Sequence, residues 1–388
     1  MPSRITGNFV DTVIYGDECR AFVPFPLPPE PPLSIDSGLQ AILDEAHVAL
    51  GRLDGAVAQL SDSSLFLYCY VRREAVLSSQ IEGTQSSLSD FLLFESDAQP
   101  GVPLVDVTEV SNYVAALELG MTRIRAGEAI TASLLRDLHA VLLRSGRGSE
   151  KGPGSFRIEP NWIGGSRPRD AVYVPPPNRE VPRLIADLEG FISQKNGGVS
   201  AIVRSAMAHV QFETIHPFLD GNGRVGRLLF PLILCSAGIL SQPMLYLSLF
   251  FKRNRQEYYA LLQRVRLEGD WESWIHFAGR GIVETANSCV QLSRSILSLF
   301  ESDNIRIQSE AGRRAETALR AFKALQTRPI VGLPELVRLT GLTAPTAASA
   351  MRMLESAGIV QEVTGRRYNK RYSYGAYVAL INEGTELA

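Results

Sequence analysis

The chain contains the segment HPFLDGNGRVGR at residues 216–227, which carries more chemistry than any other stretch of the sequence. Gly221 and Gly223 let backbone N–H groups approach an anion closely, and such a nest usually opens a helix. If a helix begins there, Arg224 and Arg227 lie on one face of its first two turns, where both can reach the same phosphate chain. The segment therefore predicts a polyphosphate site at a helix N-terminus.

Two further side chains of this segment suit a metal-bound polyphosphate. Asp220 offers a hard oxygen ligand for Mg²⁺, which takes one or two protein carboxylates and fills its remaining positions with phosphate oxygens and water. His216 lies four residues before Asp220, where an imidazole can act as a general base. These residues together predict phosphoryl or nucleotidyl transfer to a hydroxyl group.

Three simpler interpretations compete with this one. Asp-Gly and Asn-Gly are common turn dipeptides, so residues 220–223 taken alone also fit an ordinary turn. A calcium loop would need oxygen ligands at Phe218 and Leu229, which excludes that kind of site. A lone histidine is most often a buried structural residue, but the clustering of roles around His216 favours a functional one.

The segment matches the Fic-domain signature HPFxDGNGRxxR at every specified position, and residues 209–213 resemble the usual lead-in to it. The resemblance implies a mainly α-helical core with a β-hairpin flap. It also implies transfer of AMP from ATP to a serine, threonine or tyrosine hydroxyl of a target protein. In that reaction His216 would deprotonate the hydroxyl and Asp220 would bind Mg²⁺.

The resemblance assigns roles to the other signature residues as well. Asn222 and the backbone of Gly221 and Gly223 would hold the α-phosphate. Arg224 would contact the β- and γ-phosphates. Phe218 is similar to the buried residue that anchors the loop.

The sequence SSQIEG from Ser78 to Gly83 fits the pattern [S/T]xxxE[G/N] of the inhibitory helix found in many Fic proteins. Residues 65–82 form a helix-length segment without Gly or Pro, which Gly83 would end. A carboxylate in the last turn opposes the helix dipole, so Glu82 favours a cation beside it. The resemblance implies that this cation is Arg227 and that the pair blocks the γ-phosphate position. A solvated surface glutamate is the alternative.

Residues 154–177 are rich in Gly and Pro, which argues against a helix. Residues 171–174 are predicted to form a short strand, placed at an edge or in a hairpin by the prolines after it. The segment resembles the Fic flap, which would cover the nucleotide at Val172 and Tyr173. A target protein would dock on residues 170–175 by strand addition. A surface Ω-loop is the alternative.

Several other residues carry weaker signals. Fic proteins commonly have a pair of tyrosines similar to Tyr258 and Tyr259, one ring of which borders the adenine. Tyr258 is therefore predicted to contact the nucleotide, although aromatic residues at helical spacing also form plain cores. His47, His139 and His276 lie in amphipathic runs without metal-type partners nearby in sequence, so we interpret them as structural.

The organisation predicted for the 388 residues is mainly α. An N-terminal helical region at 1–106 carries the inhibitory helix 65–83, a Fic core spans 107–302, and a third domain spans 313–388. A polar stretch at 302–314 is predicted to be a linker. Helical patterns cover 37–60, 64–82, 107–126, 131–144, 179–194, 200–214, 222–237, 254–267 and 271–302.

The third domain resembles a winged helix, because three helical patterns precede a predicted β-hairpin within residues 315–374. The wing holds four cations without an acidic residue, which would suit DNA phosphates: Arg366, Arg367, Lys370 and Arg371. Against DNA binding, the predicted recognition helix offers only Arg352 among small and apolar residues. A protein contact at 313–388 is therefore favoured over DNA.

Composition limits the protein class. A net charge of −2 gives no overall attraction to nucleic acid or membrane. Four scattered cysteines suit reduced thiols better than a disulfide framework or a zinc site. The longest apolar run, near 228–240, is too short to cross a bilayer, and the N-terminus lacks a signal-peptide pattern. We expect a soluble cytoplasmic protein that does not bind membranes.

The function predicted from the sequence is that of a protein adenylyltransferase. It would use ATP and Mg²⁺, be autoinhibited by Glu82 and also modify itself. Removal of AMP, transfer of another phosphate-containing group at the same site, and a DNA-binding regulator that senses nucleotide are the alternatives. The sequence does not decide the target, the modified residue, or whether a homodimer controls inhibition.

Overall fold

The structure is a computed structural model, and it describes residues 4–58, 63–96, 101–194 and 198–385. Helices dominate it, as the sequence predicts. In chain order the helices are α1 (Ser37–Ala58), α2 (Ser63–Ile81), α3 (Leu88–Glu95), α4 (Leu104–Arg125), α5 (Ala132–Leu142), α6 (Val181–Ser193), α7 (Ala201–Ile215), α8 (Asn222–Ser236), α9 (Ser248–Arg253), α10 (Arg255–Glu268), α11 (Trp271–Glu310), α12 (Ala315–Thr327), α13 (Leu333–Thr340), α14 (Ala344–Ser356) and α15 (Gly375–Asn382). The strands are β1 (Gly7–Ile14), β2 (Asp17–Pro24), β3 (Ile330–Gly332), β4 (Gln361–Glu362) and β5 (Arg371–Ser373).

Most predicted helices are confirmed to within a few residues, although residues 59–60 of the first one lie outside the described residues. Helices α3, α9 and α15 were not predicted. A capping box begins α3: the Ser87 hydroxyl accepts a hydrogen bond from the Asp90 N–H, and the Asp90 carboxylate accepts one from the Ser87 N–H. This Ser-x-x-Asp pattern was a usable sequence signal.

The chain divides into two compact units, each made of two stretches of sequence. Unit 1 contains Met1–Asp54 and Ser111–Ala286, and unit 2 contains Gly55–Val110 and Asn287–Ala388. The signature and the flap belong to unit 1. The segment 78–83 and the region predicted to be a winged helix belong to unit 2.

The core of unit 1 surrounds α7, in which every residue is buried. A helix with no exposed face must satisfy its polar side chains internally. The ring of His209 does so, since Nδ1 lies 2.9 Å from the Gly226 carbonyl oxygen and Nε2 lies 2.9 Å from the Tyr258 hydroxyl. Helix α8 packs along α7, so the end of one helix and the start of the other form the two sides of the signature loop.

An antiparallel β-hairpin of β1 and β2 precedes the helices of unit 1, and the sequence reasoning did not predict it. Its turn residues Tyr15 and Gly16 have φ values of 49° and 88°. Two positive φ values are typical of the type I′ turn that closes two-residue hairpins. The Phe22 N–H donates to the Val174 carbonyl at 3.0 Å, so β2 lies beside the flap.

The flap itself departs from the prediction. The strand expected at 171–174 is reduced to a single antiparallel bridge between Ile163 and Tyr173. Four prolines at 168 and 175–177 explain this, because proline cannot donate to a ladder. The segment is therefore a loop closed at one point.

The predicted linker at 302–314 is wrong, because α11 continues as helix to Glu310 and a 3₁₀ turn, Gly312–Arg314, follows. Although this part of α11 is polar in composition, Phe300, Asp303 and Ile307 are buried and recur at helical spacing. The buried Asp303 carboxylate accepts a hydrogen bond from the Tyr374 hydroxyl at 2.5 Å. These contacts bind the end of α11 to the rest of unit 2.

The C-terminal part of unit 2 contains α12, α13 and α14 with a three-stranded antiparallel sheet in the order β3-β5-β4. The three helices and the two strands after them follow the predicted order, and β3 is an addition to it. The Arg371 Nε donates to the Ser96 carbonyl at 2.5 Å, so one cation of the predicted wing is engaged within the unit. The winged-helix assignment stays a prediction.

Two findings bear on the protein class. None of the described helices combines the length and the apolar character that crossing a bilayer requires. All four cysteines have free thiols, as their spacing predicts: Cys19, Cys69, Cys235 and Cys289.

Candidate active site

His216 lies at the C-terminal end of α7 with φ 50° and ψ 60°, a left-handed conformation. A non-glycine residue pays about 1–2 kcal/mol for this conformation, so surrounding contacts must hold it. Its N–H donates to the Phe212 carbonyl at 2.9 Å, and its carbonyl accepts from Arg157 Nε at 2.8 Å. The backbone of His216 is thereby fixed at the point where α7 ends and the signature loop begins, and the residue is half-buried.

Phe218 is fully buried, as the resemblance implies for an anchor. Its ring stacks on His139 with centroids 3.7 Å apart and an interplanar angle of 6°. The Phe156 ring also packs against Phe218, and the centroids of these two rings are 5.3 Å apart. The loop is thus pinned by an aromatic stack in the middle of the signature.

Asn222 closes the loop, since its Oδ1 accepts from the Phe218 N–H at 2.9 Å and its Nδ2 donates to the Phe218 carbonyl at 2.8 Å. Both polar ends of the side chain are therefore used within the loop. This arrangement favours a shaping role for the Asn222 side chain. Its role in holding an α-phosphate remains a prediction.

Gly221 is the residue before α8 and has φ 75°, which a residue with a Cβ adopts only at a cost. This conformation aims the first-turn N–H groups of α8, including that of Gly223, out of the helix end. The Asp220 carboxylate accepts from the Gly221 N–H at 2.5 Å. The backbone at the start of α8 is therefore compatible with the predicted nest, and phosphate binding there stays a prediction.

Asp220 keeps a side chain that is 42% exposed and lies 3.7 Å from Arg224 Nη2. Gly148, with φ 79°, approaches it so closely that a Cβ there would lie 2.5 Å from its Oδ2. No group of three or more His, Cys, Asp and Glu that could hold a metal is found within the described ranges. One accessible carboxylate beside a phosphate nest fits Mg²⁺, which takes its other ligands from phosphate and water.

Arg224 and Arg227 are both buried on α8, with 3% and 5% of their surface exposed. Burying two guanidinium groups three residues apart is costly unless they are paired with charge or ligand oxygens. The site therefore concentrates positive charge behind the helix N-terminus, as a polyphosphate site requires.

His139, interpreted from the sequence as structural, is fully buried beneath the loop. Its Nδ1 accepts from the Gly154 N–H at 2.9 Å, so Nε2 carries the proton and donates to the Asp220 carbonyl at 3.0 Å. Burial lowers its pKa to about 4, which keeps the ring neutral. It supports the backbone of the predicted metal ligand from a helix 81 positions earlier, and no spacing in the sequence signals this contact.

The two flap residues predicted to cover the nucleotide differ in exposure. Val172 is 71% exposed, whereas Tyr173 is buried. The Tyr173 hydroxyl donates to the Thr214 carbonyl at 2.6 Å, and the Arg266 guanidinium lies 3.9 Å from its ring centroid. Burial raises the pKa of Tyr173 to about 12. The Tyr173 side chain thus fastens the flap to α7, and Val172 is the one of the pair that faces solvent.

Tyr258 is buried in an aromatic cluster of unit 1, with its ring stacked on Phe251 at 4.6 Å between centroids. Its hydroxyl lies 2.9 Å from His209 Nε2. The plain-core alternative accounts for these contacts, and the predicted contact with the nucleotide stays a prediction.

The comparisons with known proteins agree with this geometry. Residues 41–122 match the family model described as Fic/DOC family N-terminal, and residues 129–234 match the model described as Fic/DOC family. The chain belongs to the Fic/DOC family. The second match contains the flap and the signature, and the first contains the segment 78–83.

Curated relatives of this Fic chain match only part of it. This chain is 30% identical over 201 residues to a protein of Culex quinquefasciatus named protein adenylyltransferase Fic. The aligned residues cover 51% of this chain and 37% of the relative. A protein of the same name from Aedes aegypti is 29% identical over 231 residues, or 57% of this chain and 43% of the relative. The chain thus spans less than half the length of these relatives.

The fold of the Fic chain is also found in a solved structure. The crystal structure of a Fic family protein from Desulfovibrio desulfuricans G20 superposes with a TM-score of 0.58. The match has 22% sequence identity and covers 89% of this chain and 98% of that one. At this identity the likeness supports the fold alone.

The predicted inhibitory residues lie at the end of α2 in unit 2. Ser78 is fully buried, whereas Glu82 and Gly83 are exposed. The Glu82 N–H donates to the Ser79 carbonyl at 3.0 Å, and Gly83 has φ 98°. The helix therefore ends at Ile81, two residues before the glycine that the pattern specifies.

Proposed function

We propose that this Fic chain is a protein adenylyltransferase that transfers AMP from ATP to a hydroxyl side chain of a target protein. The observation that carries the proposal is the signature loop. In this loop His216 has a left-handed backbone conformation and is followed by the exposed carboxylate of Asp220. Helix α8 then begins after Gly221 and carries the buried Arg224 and Arg227.

His216 would act as the general base. Its imidazole takes the proton of the target hydroxyl while the hydroxyl oxygen bonds to the α-phosphorus of ATP. The bond from that phosphorus to the departing pyrophosphate breaks, so AMP stays on the target. A positioned base contributes about 10²–10⁴-fold to such a step.

The remaining site residues would bind the nucleotide and stabilise charge. The N–H groups at the start of α8 would face the α-phosphate, and Arg224 would contact the outer phosphates. Mg²⁺ held by Asp220 supplies neutralisation of phosphate charge when it is bound.

The flap would present the target. Val172 faces solvent, while the Tyr173 side chain is hydrogen-bonded to α7. An extended target segment could therefore pair with the flap backbone at these residues as an added strand. The same docking would allow the chain to modify itself.

Glu82 would restrain the reaction by pairing with Arg227, which then cannot contact the γ-phosphate. The support is the pattern SSQIEG and the helix end at Gly83. A carboxylate in that position opposes the helix dipole and gains from a cation.

Incubation with α-labelled ATP and Mg²⁺ tests the proposal on wild type, Glu82→Gly and Glu82→Gly/His216→Ala. We expect strong label on protein with Glu82→Gly, weak label with wild type, and loss of label without His216 while ATP still binds. Equal label from wild type and Glu82→Gly would contradict the restraint. Absence of label from all three proteins, each with ATP bound, would contradict AMP transfer and favour another transferred group.

A further inference from the structure

Arg157 lies at the start of the flap and is 3% exposed. Its guanidinium donates to four backbone carbonyls. Nε reaches His216 at 2.8 Å, Nη2 reaches Pro176 at 2.5 Å and Ile215 at 3.4 Å, and Nη1 reaches Glu159 at 3.4 Å. Burial lowers its pKa to about 10. A buried cation held by neutral carbonyls is retained only where its directed hydrogen bonds matter.

The four carbonyls belong to two parts of the molecule. Glu159 and Pro176 lie near the two ends of the flap, while Ile215 and His216 end α7. The backbone N–H of Arg157 adds a fifth link, to the Pro217 carbonyl at 2.9 Å. One side chain therefore joins both arms of the flap to the segment that carries the catalytic base.

The contacts at the end of α7 have a physical reason. The last carbonyls of a helix lack intrahelical donors, and the C-terminal end of its dipole is negative. The left-handed residue His216 adds a conformational cost. The Arg157 cation satisfies two of these carbonyls and offsets that cost.

We propose that Arg157 is a positioning residue. It holds the flap at a fixed distance from His216, so that the hydroxyl of a target docked on the flap lies next to the base. This inference rests on the proposed function and adds a residue to it. Arg157 takes no part in the proton transfer, because its donors are occupied by the backbone. Misplacement of reacting groups by about 1 Å costs on the order of 10²-fold in rate.

Lysine is the informative replacement, since it keeps the charge and loses the planar fork of donors. The matched control is Arg4→Lys. Arg4 is also buried in unit 1 and donates to the carbonyls of Pro31, Pro32 and Gly269 and to the Glu272 carboxylate, away from the flap. Arg157→Gln, which removes the charge and keeps an amide donor, is a second variant in case the lysine does not fold.

The first measurement does not depend on activity. Backbone hydrogen exchange is followed at the amides of Ile163, Tyr173 and His216, each of which donates within the flap or at the end of α7. We expect Arg157→Lys to accelerate exchange at all three and Arg4→Lys to leave them unchanged. Unchanged exchange in the flap and at His216 with Arg157→Lys and Arg157→Gln would overturn the proposal.

The second measurement is label transfer from α-labelled ATP in the Glu82→Gly background. We expect Arg157→Lys to lower kcat by about 10- to 100-fold with KM for ATP changed less than about threefold. Arg4→Lys should stay within about twofold of its parent. Equal losses of kcat in both variants would reduce Arg157 to a general stabilising residue. No label from the parent, with the exchange result intact, would contradict AMP transfer but not the tie between flap and loop.

Discussion

The signature loop at 216–222 and the flap at 157–176 are held by different kinds of contact. The loop closes on itself through Asn222 and Phe218, four positions apart. The flap is joined internally by one bridge and by the Arg157–Pro176 hydrogen bond, and its other contacts reach distant residues, from Tyr173 to Thr214 and from Val174 to β2. The loop thus has a closure of its own in addition to the distant support of His139 and Arg157, whereas the flap is fastened mainly by residues far away in the sequence.

The largest expected effect comes from opening the loop with Asn222→Ala. Two buried backbone groups of Phe218 lose their partners, at about 1–3 kcal/mol each, so we expect the free energy of unfolding to fall by about 3–4 kcal/mol. Denaturant unfolding measures it. Label transfer in the Glu82→Gly background should fall by at least about tenfold, because His216 and Asp220 lie in the same loop.

The matched change in the flap is Asn161→Ala. Asn161 is half-buried and its Nδ2 lies 3.4 Å from the Leu219 carbonyl, a long contact. We expect a loss of about 0.5–1 kcal/mol. Equal losses of stability from the two asparagine variants would refute the contrast between local and distant fastening.

A second test uses pH, because unit 1 contains two buried neutral histidines, His139 beside the loop and His209 within α7. Burial lowers the pKa of His209 to about 4. The unfolded state therefore binds more protons between about pH 4 and 6.5, so stability is full above 6.5 and falls as pH drops towards 4. We expect His209 to contribute about 2–3 kcal/mol to this fall.

His209→Gln should flatten the dependence of unfolding free energy on pH in that window. Chemical denaturation at a series of pH values measures it. His276→Gln is the control, since His276 is exposed on α11. A pH dependence identical in wild type and His209→Gln would show that the buried ring does not govern acid stability.

A small effect is also expected when the flap is released by Tyr173→Phe. The change removes the hydrogen bond to the Thr214 carbonyl and keeps the ring, so we expect a loss of about 1 kcal/mol. Hydrogen exchange at the Ile163 amide should rise, while exchange at Val225 in α8 should not. Tyr15→Phe, at an exposed tyrosine of the hairpin turn, is the control. Faster exchange at Val225 as well would mean that loop and flap open together.

Prediction succeeded where the pattern was local. The helix after Gly221 and the end of α2 before Gly83 follow from residue types within a few positions, and the burial of Phe218 follows from the family resemblance. Residues 302–310 were wrongly predicted to be a linker because of their polar composition. The helical spacing of the buried residues Phe300, Asp303 and Ile307 was the better signal. The hairpin turn at Tyr15-Gly16 was missed because its first residue is not one that usually marks a type I′ turn.

The sequence by itself indicated the family and the helix that starts after Gly221, because the twelve-residue signature and the backbone freedom of a glycine are properties of adjacent residues. Only the tertiary structure decided that His139 supports Asp220 and that Arg157 joins the flap to α7. Those contacts connect residues about 60–80 positions apart. They exist because a buried helix end must find hydrogen-bond donors, and packing, not spacing in the sequence, selects which donor reaches it.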